Sequence, residues 1–219
     1  MKDAESPQPE ITPALLLRAY AAGVFPMADG AHSTEIFWVE PRYRGIMPLD
    51  GFHVSRSLRK RLLKDQYSIR IDSMFDLVVA ACADRDETWI NAEIAQLYRD
   101  LFALGHAHSL EVWRDDRLIG GVYGVQLGAA FFGESMFSRA RDGSKIALAY
   151  LVARLRHGGF RLFDTQFTTP HLESLGAINI PRIRYQELLA EALTREADFY
   201  SLAVDASPSR ALHLISQTS

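Results

Sequence analysis

The chain has little cysteine: one residue, Cys82, among 219. An internal disulfide framework and a multi-cysteine metal site are therefore both excluded. No apolar run approaches the roughly 20 residues needed to span a bilayer. The polar opening from Met1 to Pro9 carries both charge signs, unlike a secretory signal. A general positive charge is missing too, because the formal net charge is −3. The surface as a whole does not attract polyanions, so any nucleic-acid contact must come from a local cluster of cations. There is no internal repeat and no low-complexity block. What is present is ordinary for a globular protein, with 48% hydrophobic and 23% charged residues. These features point to a cytoplasmic, non-membrane protein with a sizeable core.

One local cluster of cations exists. Arg56, Arg59, Lys60, Arg61 and Lys64 lie within nine residues, with Leu58, Leu62 and Leu63 between them. Ser55 can cap a helix there. Positions 56, 60 and 64 then share one stripe while 58 and 62 share another.

Elsewhere the periodicity is readable. Thr12-Pro13 opens a short helix stopped near Gly23, and residues 24–47, broken by Pro26, Gly30, Pro41 and Gly45, read as loops and short strands. Tyr67 to Ile71 reads as a strand and Ser73 to Ala83 as a helix. In Asn91 to Gly105, Ile94, Leu97, Tyr98, Leu101 and Phe102 recur at helical spacing. The period then changes to that of strands over His108–Trp113, Arg117–Val125 and Ala130–Met136. Ser144 to Arg156 returns to helix, Arg161 to Phe167 to strand, and Tyr185 to Leu193 to helix. This is an α+β order, with antiparallel hairpins ahead of a βα crossover. It is the order of the acyltransferase fold of the GCN5-related N-acetyltransferases, so a GNAT-like domain is expected. A small N-terminal subdomain over residues 1–60, the GNAT-like domain over 61–200 and a flexible tail over 201–219 complete the expected organisation.

The longer motifs carry a specific resemblance. They include Thr88-Trp89-Ile90, Gly105-His106-Ala107-His108-Ser109-Leu110-Glu111-Val112-Trp113 and Gly120-Gly121-Val122-Tyr123-Gly124-Val125. Phe131-Phe132-Gly133-Glu134-Ser135-Met136-Phe137-Ser138-Arg139, Asp164-Thr165-Gln166 and Ser174-Leu175-Gly176-Ala177 follow in order. Together they resemble the leucyl/phenylalanyl-tRNA–protein transferases over about residues 13–193. The chain departs from that family in a shortened N-terminal segment, in Thr165 where Cys is usual, and in Val39-Glu40-Pro41 after Trp38.

The resemblance implies transfer of Leu or Phe, and also Met, from aminoacyl-tRNA to the N-terminal Arg or Lys of acceptor proteins. That transfer marks the acceptors for N-end-rule degradation, and a monomer without cofactor or metal is expected. The attacking α-amine has a reference pKa of about 7.7–8.0, so no strong base is required. The enzyme must supply orientation, oxyanion stabilisation and a path for one proton. In the resemblance, Asp164 and Gln166 relay that proton and Glu134 binds within the site. Residues 164 and 166 share a strand face. A neutral amide is no ordinary base, so Gln166 orients the amine while Asp164 holds Gln166 in place or counters the developing cation. Trp38, Trp89, Phe131, Gly133 and Ser135 are the implied substrate contacts, with Gly133 admitting the substrate closely. Arg56, Arg59, Lys60, Arg61 and Lys64 are the tRNA candidates. His106 and His108 lack a third ligand for a metal.

Two rivals are an acetyl-CoA-dependent N-acetyltransferase and a non-catalytic RNA-binding module. The first needs a Gly-rich pyrophosphate loop, absent from Ser138-Arg139-Ala140-Arg141-Asp142-Gly143-Ser144-Lys145. The second leaves Glu134, Asp164 and Gln166 without a purpose.

Overall fold

A computed structural model describes residues 11–64 and 66–217. The chain begins with helix α1 (Pro13–Ala21), strands β1 (Phe25–Ala28), β2 (Ile36–Val39) and β3 (Tyr43–Ile46), and helix α2 (Arg56–Leu63). Strand β4 (Ser68–Ile71) and helices α3 (Phe75–Ala83) and α4 (Ala92–Ala103) lead into β5 (Ala107–Arg114), β6 (Arg117–Leu127) and β7 (Ala130–Ser138). Helix α5 (Gly143–His157) crosses to β8 (Leu162–Gln166), followed by α6 (Pro170–Glu173), β9 (Ile178–Pro181), α7 (Arg182–Leu193) and α8 (Pro208–Ser216).

Local signals start the helices. Thr12 and Ser55 each accept a hydrogen bond from the backbone N–H three residues on, both at 3.2 Å, and Asn91 does so at 2.8 Å. The β5–β6 turn uses Asp115 and Asp116 at φ of 47° and 57° between the paired residues Arg114 and Arg117. Two left-handed residues in a two-residue loop match the right-handed twist of the flanking strands.

The sheet is mixed, with seven strands in the order β4-β5-β6-β7-β8-β3-β9. Every neighbouring pair is antiparallel except β7 and β8, which α5 connects in parallel. Alternation along the strands builds a core on each face. Leu110, Val112, Val122, Phe131 and Phe163 pack with α5, α8 and the leucines of α2. Ala107, Tyr123, Val125 and Phe132 pack against α1, α3, α4 and α7.

Two expectations change here. β3 lies between β8 and β9 inside the large sheet, and Leu58 and Leu62 of α2 enter its first core. A boundary at residue 60 would therefore cut through packed structure. The expected tail from residue 201 contains α8, whose Ala211, Leu212, Leu214 and Ile215 are buried against α5. Arg156 adds hydrogen bonds to Leu49 O (3.0 Å) and Ile215 O (3.2 Å) and another to Gln217 O. The loose opening expected for residues 1–10 lies outside the described residues.

Candidate active site

The cavity begins with an irregularity in β7. Tyr123 of β6 pairs with Ser135 and Gly124 pairs with Gly133, so Glu134 is one residue more than β6 can match. Such a bulge re-aims the extra side chain. On the other edge, the parallel pairing of β7 with β8 runs only from Ala130–Leu162 to Phe132–Asp164. Beyond that point the strands part and leave a cavity of about 280 Å³. Val122, Met136, Leu148, Phe163 and Leu172 make an apolar wall, while Glu134, Thr165 and Gln166 supply the polar side. Phe25 and Met27 of β1 close one end, and Arg85 and Trp89 border another.

Glu134 sits against two tyrosines. Tyr20 donates to its Oε1 and Tyr98 to its Oε2, both at 2.7 Å, and the two hydroxyls are 2.9 Å apart. Burial raises the carboxyl to about 7; the two tyrosine bonds and Arg44 oppose the rise, and Asp164 adds to it. A proton count agrees with that direction. Three oxygen–oxygen contacts close a ring, and an ionised carboxylate leaves only two protons for them. The neutral acid supplies the third, its O–H then donating to one tyrosine, which donates to the other.

Gln166 lies beside this ring at a φ of 56°, a region that a non-glycine residue occupies only at a cost of about 1–3 kcal/mol. Its amide is best satisfied with nitrogen donating to Gly133 O (2.8 Å) and Thr165 O (3.1 Å). The amide oxygen then takes the position 3.4 Å from Glu134 Oε1. An acceptor placed there is compatible with a neutral acid or an incoming N–H.

Asp164 has a different setting. Its side chain is fully buried and does not line the cavity. Arg44 reaches it with Nε (2.9 and 3.1 Å) and Nη2 (2.7 Å), and Tyr185 donates from its hydroxyl at 2.6 Å. The Gln166 backbone N–H adds a bond at 2.8 Å, which secures the left-handed turn. Arg44 is held in turn by Gly23 O (2.8 Å) and lies between the rings of Phe25 and Tyr185, 4.5 Å from each centroid. With its acceptor positions filled, Asp164 has the geometry of a positioning group beneath Gln166.

The remaining expected contacts divide. Trp89, Gly133 and Ser135 line the cavity with Glu134 and Gln166. Gly133 lacks a side chain for a packing reason, since a Cβ there would come within 2.7 Å of the Phe163 ring. Phe131 does not reach the cavity, because it belongs to the fully paired part of β7. It is 1% exposed, stacks on Phe199 at 5.6 Å and meets Phe163 edge-on at 5.9 Å. Trp38 lies outside the lining and is half-exposed on β2, opposite Pro26, which does line it. Arg56, Arg59, Lys60 and Lys64 are exposed along α2, and Arg61 approaches Asp142 at 3.5 Å. His108 is engaged elsewhere, with Nδ1 2.8 Å from Asp72 and its ring stacked on Phe199.

Sequence reasoning missed Tyr20, Tyr98, Arg44, Tyr185 and Phe163. Tyr98 reads as one of the apolar positions at helical spacing, and nothing local marks Tyr20. Arg44, beside Tyr43 in an aromatic segment, carried the most usable signal.

Comparison with known proteins is consistent with this arrangement. Residues 46–190 match the family described as leucyl/phenylalanyl-tRNA protein transferase, and residues 9–42 match its N-terminal domain. A protein named leucyl/phenylalanyl-tRNA–protein transferase from Cereibacter sphaeroides is 59% identical over 96% of this chain and 99% of its own. Relatives of the same name from a Ruegeria species and from Roseobacter denitrificans are 62% and 58% identical. They cover 94% and 95% of this chain and 97% and 99% of their own.

Proposed function

The chain belongs to the leucyl/phenylalanyl-tRNA protein transferase family, and we propose that it transfers leucine, phenylalanine or methionine from aminoacyl-tRNA to the N-terminal Arg or Lys of acceptor proteins. It acts as a cytoplasmic monomer and marks its acceptors for N-end-rule degradation. The reading is carried by one observation: a cavity walled by apolar side chains places a carboxyl group with a pKa of about 7 beside an amide acceptor.

The chemistry follows from those parts. The acceptor's α-amine nitrogen attacks the ester carbonyl carbon, and the bond from that carbon to the ribose oxygen breaks. One proton leaves the amine and one is gained by the ribose hydroxyl, so the exchange balances without ATP. An acid with a pKa near 7 is suited to both halves. Glu134 takes the proton or holds the ammonium, and Gln166 Oε1 orients the amine. Asp164 acts through the Gln166 turn. The donor side chain enters the wall of Val122, Met136, Leu148, Phe163 and Leu172. Such a wall accepts Leu, Phe and unbranched Met together, and it discriminates by only about 1–3 kcal/mol per methylene.

The mixed sheet supports a GNAT-like reading of the fold, with its antiparallel meander, helical crossover and parallel pair that parts at the site. The cations of α2 bind tRNA phosphates in this reading. Labelled leucyl-tRNA incubated with a peptide beginning in Arg, with acetyl-CoA in a parallel reaction, tests the proposal. Leucylated peptide is expected. Acetylated peptide, or tRNA retention without product, would overturn it.

A further inference from the structure

A line of cations joins the cavity mouth to α2. At the mouth, Arg85 donates from Nη2 to Ser135 Oγ (2.6 Å) and from Nε to Cys82 O (2.8 Å). These bonds hold the guanidinium plane, and Nη1 has no hydrogen-bond partner among the described residues. Arg139 follows directly after β7, with its guanidinium 5.6 Å from the Phe137 ring and 3.5 Å from Asp84, the neighbour of Arg85. Two residues on, Arg141 and Arg61 of α2 approach the same Asp142 oxygen at 3.8 and 3.5 Å. The path from Ser135 to Asp142 is seven residues of chain, at most about 24 Å. Asp84 and Asp142 serve as spacers between guanidiniums, while Asp86 and Glu87 are exposed beside Arg85. The surrounding protein is net negative, so the clustering stands against its background.

Resting on the function proposed above, we infer that Arg85 grips the phosphate next to the terminal nucleoside of the donor RNA, and Arg139 the phosphate before it. The single-stranded 3′ end thereby runs along the end of β7 towards α2. A planar guanidinium with a free edge matches phosphate oxygens. Trp89, on the same rim, offers a ring face to the terminal base. Strong phosphate contacts here would deliver the ester carbonyl to Glu134 and Gln166 in one register.

The test compares three leucine donors: leucyl-tRNA, the leucyl ester of the trinucleotide CCA, and leucyl-adenosine, which carries no phosphate. Arg85→Gln removes the charge but can retain a bond to Ser135. On both phosphate-bearing donors it is expected to lose at least tenfold in kcat/KM, mainly through KM, and under threefold on leucyl-adenosine. With the trinucleotide, the slope of log kcat/KM against log salt should become shallower by about 0.7. An Arg59→Ala/Lys60→Ala variant of α2 should lose activity on tRNA alone. Equal losses for Arg85→Gln on the trinucleotide and on leucyl-adenosine, or an unchanged salt slope, would overturn the phosphate assignment. Absence of transfer by the unaltered protein would instead count against the proposed function.

Discussion

Two carboxyl groups flank Gln166, and their surroundings differ in almost every respect. Asp164, in β8, is enclosed by the Arg44 guanidinium, the Tyr185 hydroxyl and a backbone N–H. Glu134, on the bulge of β7, meets two hydroxyls and faces the cavity, with no ion pair among the described residues. Arg44 pairs with the first at 2.7 Å, while burial raises the pKa of the second to about 7. The sequence motifs imply a proton relay through Asp164 and Gln166 and a binding role for Glu134. In the proposed function, those surroundings suit Asp164 to holding the Gln166 turn and Glu134 to the proton step.

The sharpest way to break this comparison is to remove Asp164. Asp164→Ala leaves Arg44 buried without its counter-charge, and a loss of about 3–5 kcal/mol in unfolding free energy is expected from denaturant titration. Turnover should drop at least tenfold as the Gln166 turn relaxes. If turnover fell while stability stayed at the level of the unaltered protein, Asp164 would be a chemical participant and the contrast would fail.

Glu134→Gln should reverse the pattern. Transfer should fall by about 100-fold, the range of general acid–base catalysis. Stability should move the other way, because a carboxyl raised to about 7 in the fold binds its proton more tightly than in the unfolded chain. That group therefore destabilises the fold above pH 7, and its cost fades as pH falls towards the unfolded value near 4.3. The Gln variant is expected to be more stable at pH 8 by about 1–3 kcal/mol, with the gap closing towards pH 4.5. Thermal melts at both pH values read the difference, and a gap that widened on acidification would contradict it.

The smallest effect is expected from Tyr98→Phe. The Tyr98 hydrogen bond holds the Glu134 pKa down, so removing it raises that pKa further. The acid limb of the pH–rate profile should move to higher pH, with turnover at pH 7 lower by about twofold to fivefold. A limb that moved to lower pH would indicate that another group titrates.

Much of the frame was readable from local pattern. The capped helices α1, α2 and α4, the β5–β6–β7 meander and the α5 crossover arise from signals within a few residues of themselves. The positions of β3 and β9 were not readable, since each is a four-residue strand whose pairing partner lies far away in sequence. The Ser/Pro/Ala composition of the C-terminal stretch masked the short apolar stripe of α8. Among the candidate residues, Trp89, Gly133, Glu134, Ser135 and Gln166 line one cavity. Phe131 did not, because strand alternation alone cannot tell a cavity-facing ring from one covered by Phe160, Phe163 and Phe199.

By itself, the sequence determined the family, the longer elements with their order, and the candidates Glu134, Asp164 and Gln166. Ordered motifs and local periodicity are properties of the chain alone. The tertiary structure decided which carboxyl is paired with a guanidinium and which faces the cavity. That outcome depends on Tyr20, Tyr98, Arg44 and Tyr185, which come from α1, α4, β3 and α7. Desolvation and charge pairing are set by such neighbours in space, and the bulge at Glu134 exists only once β6 and β7 are paired.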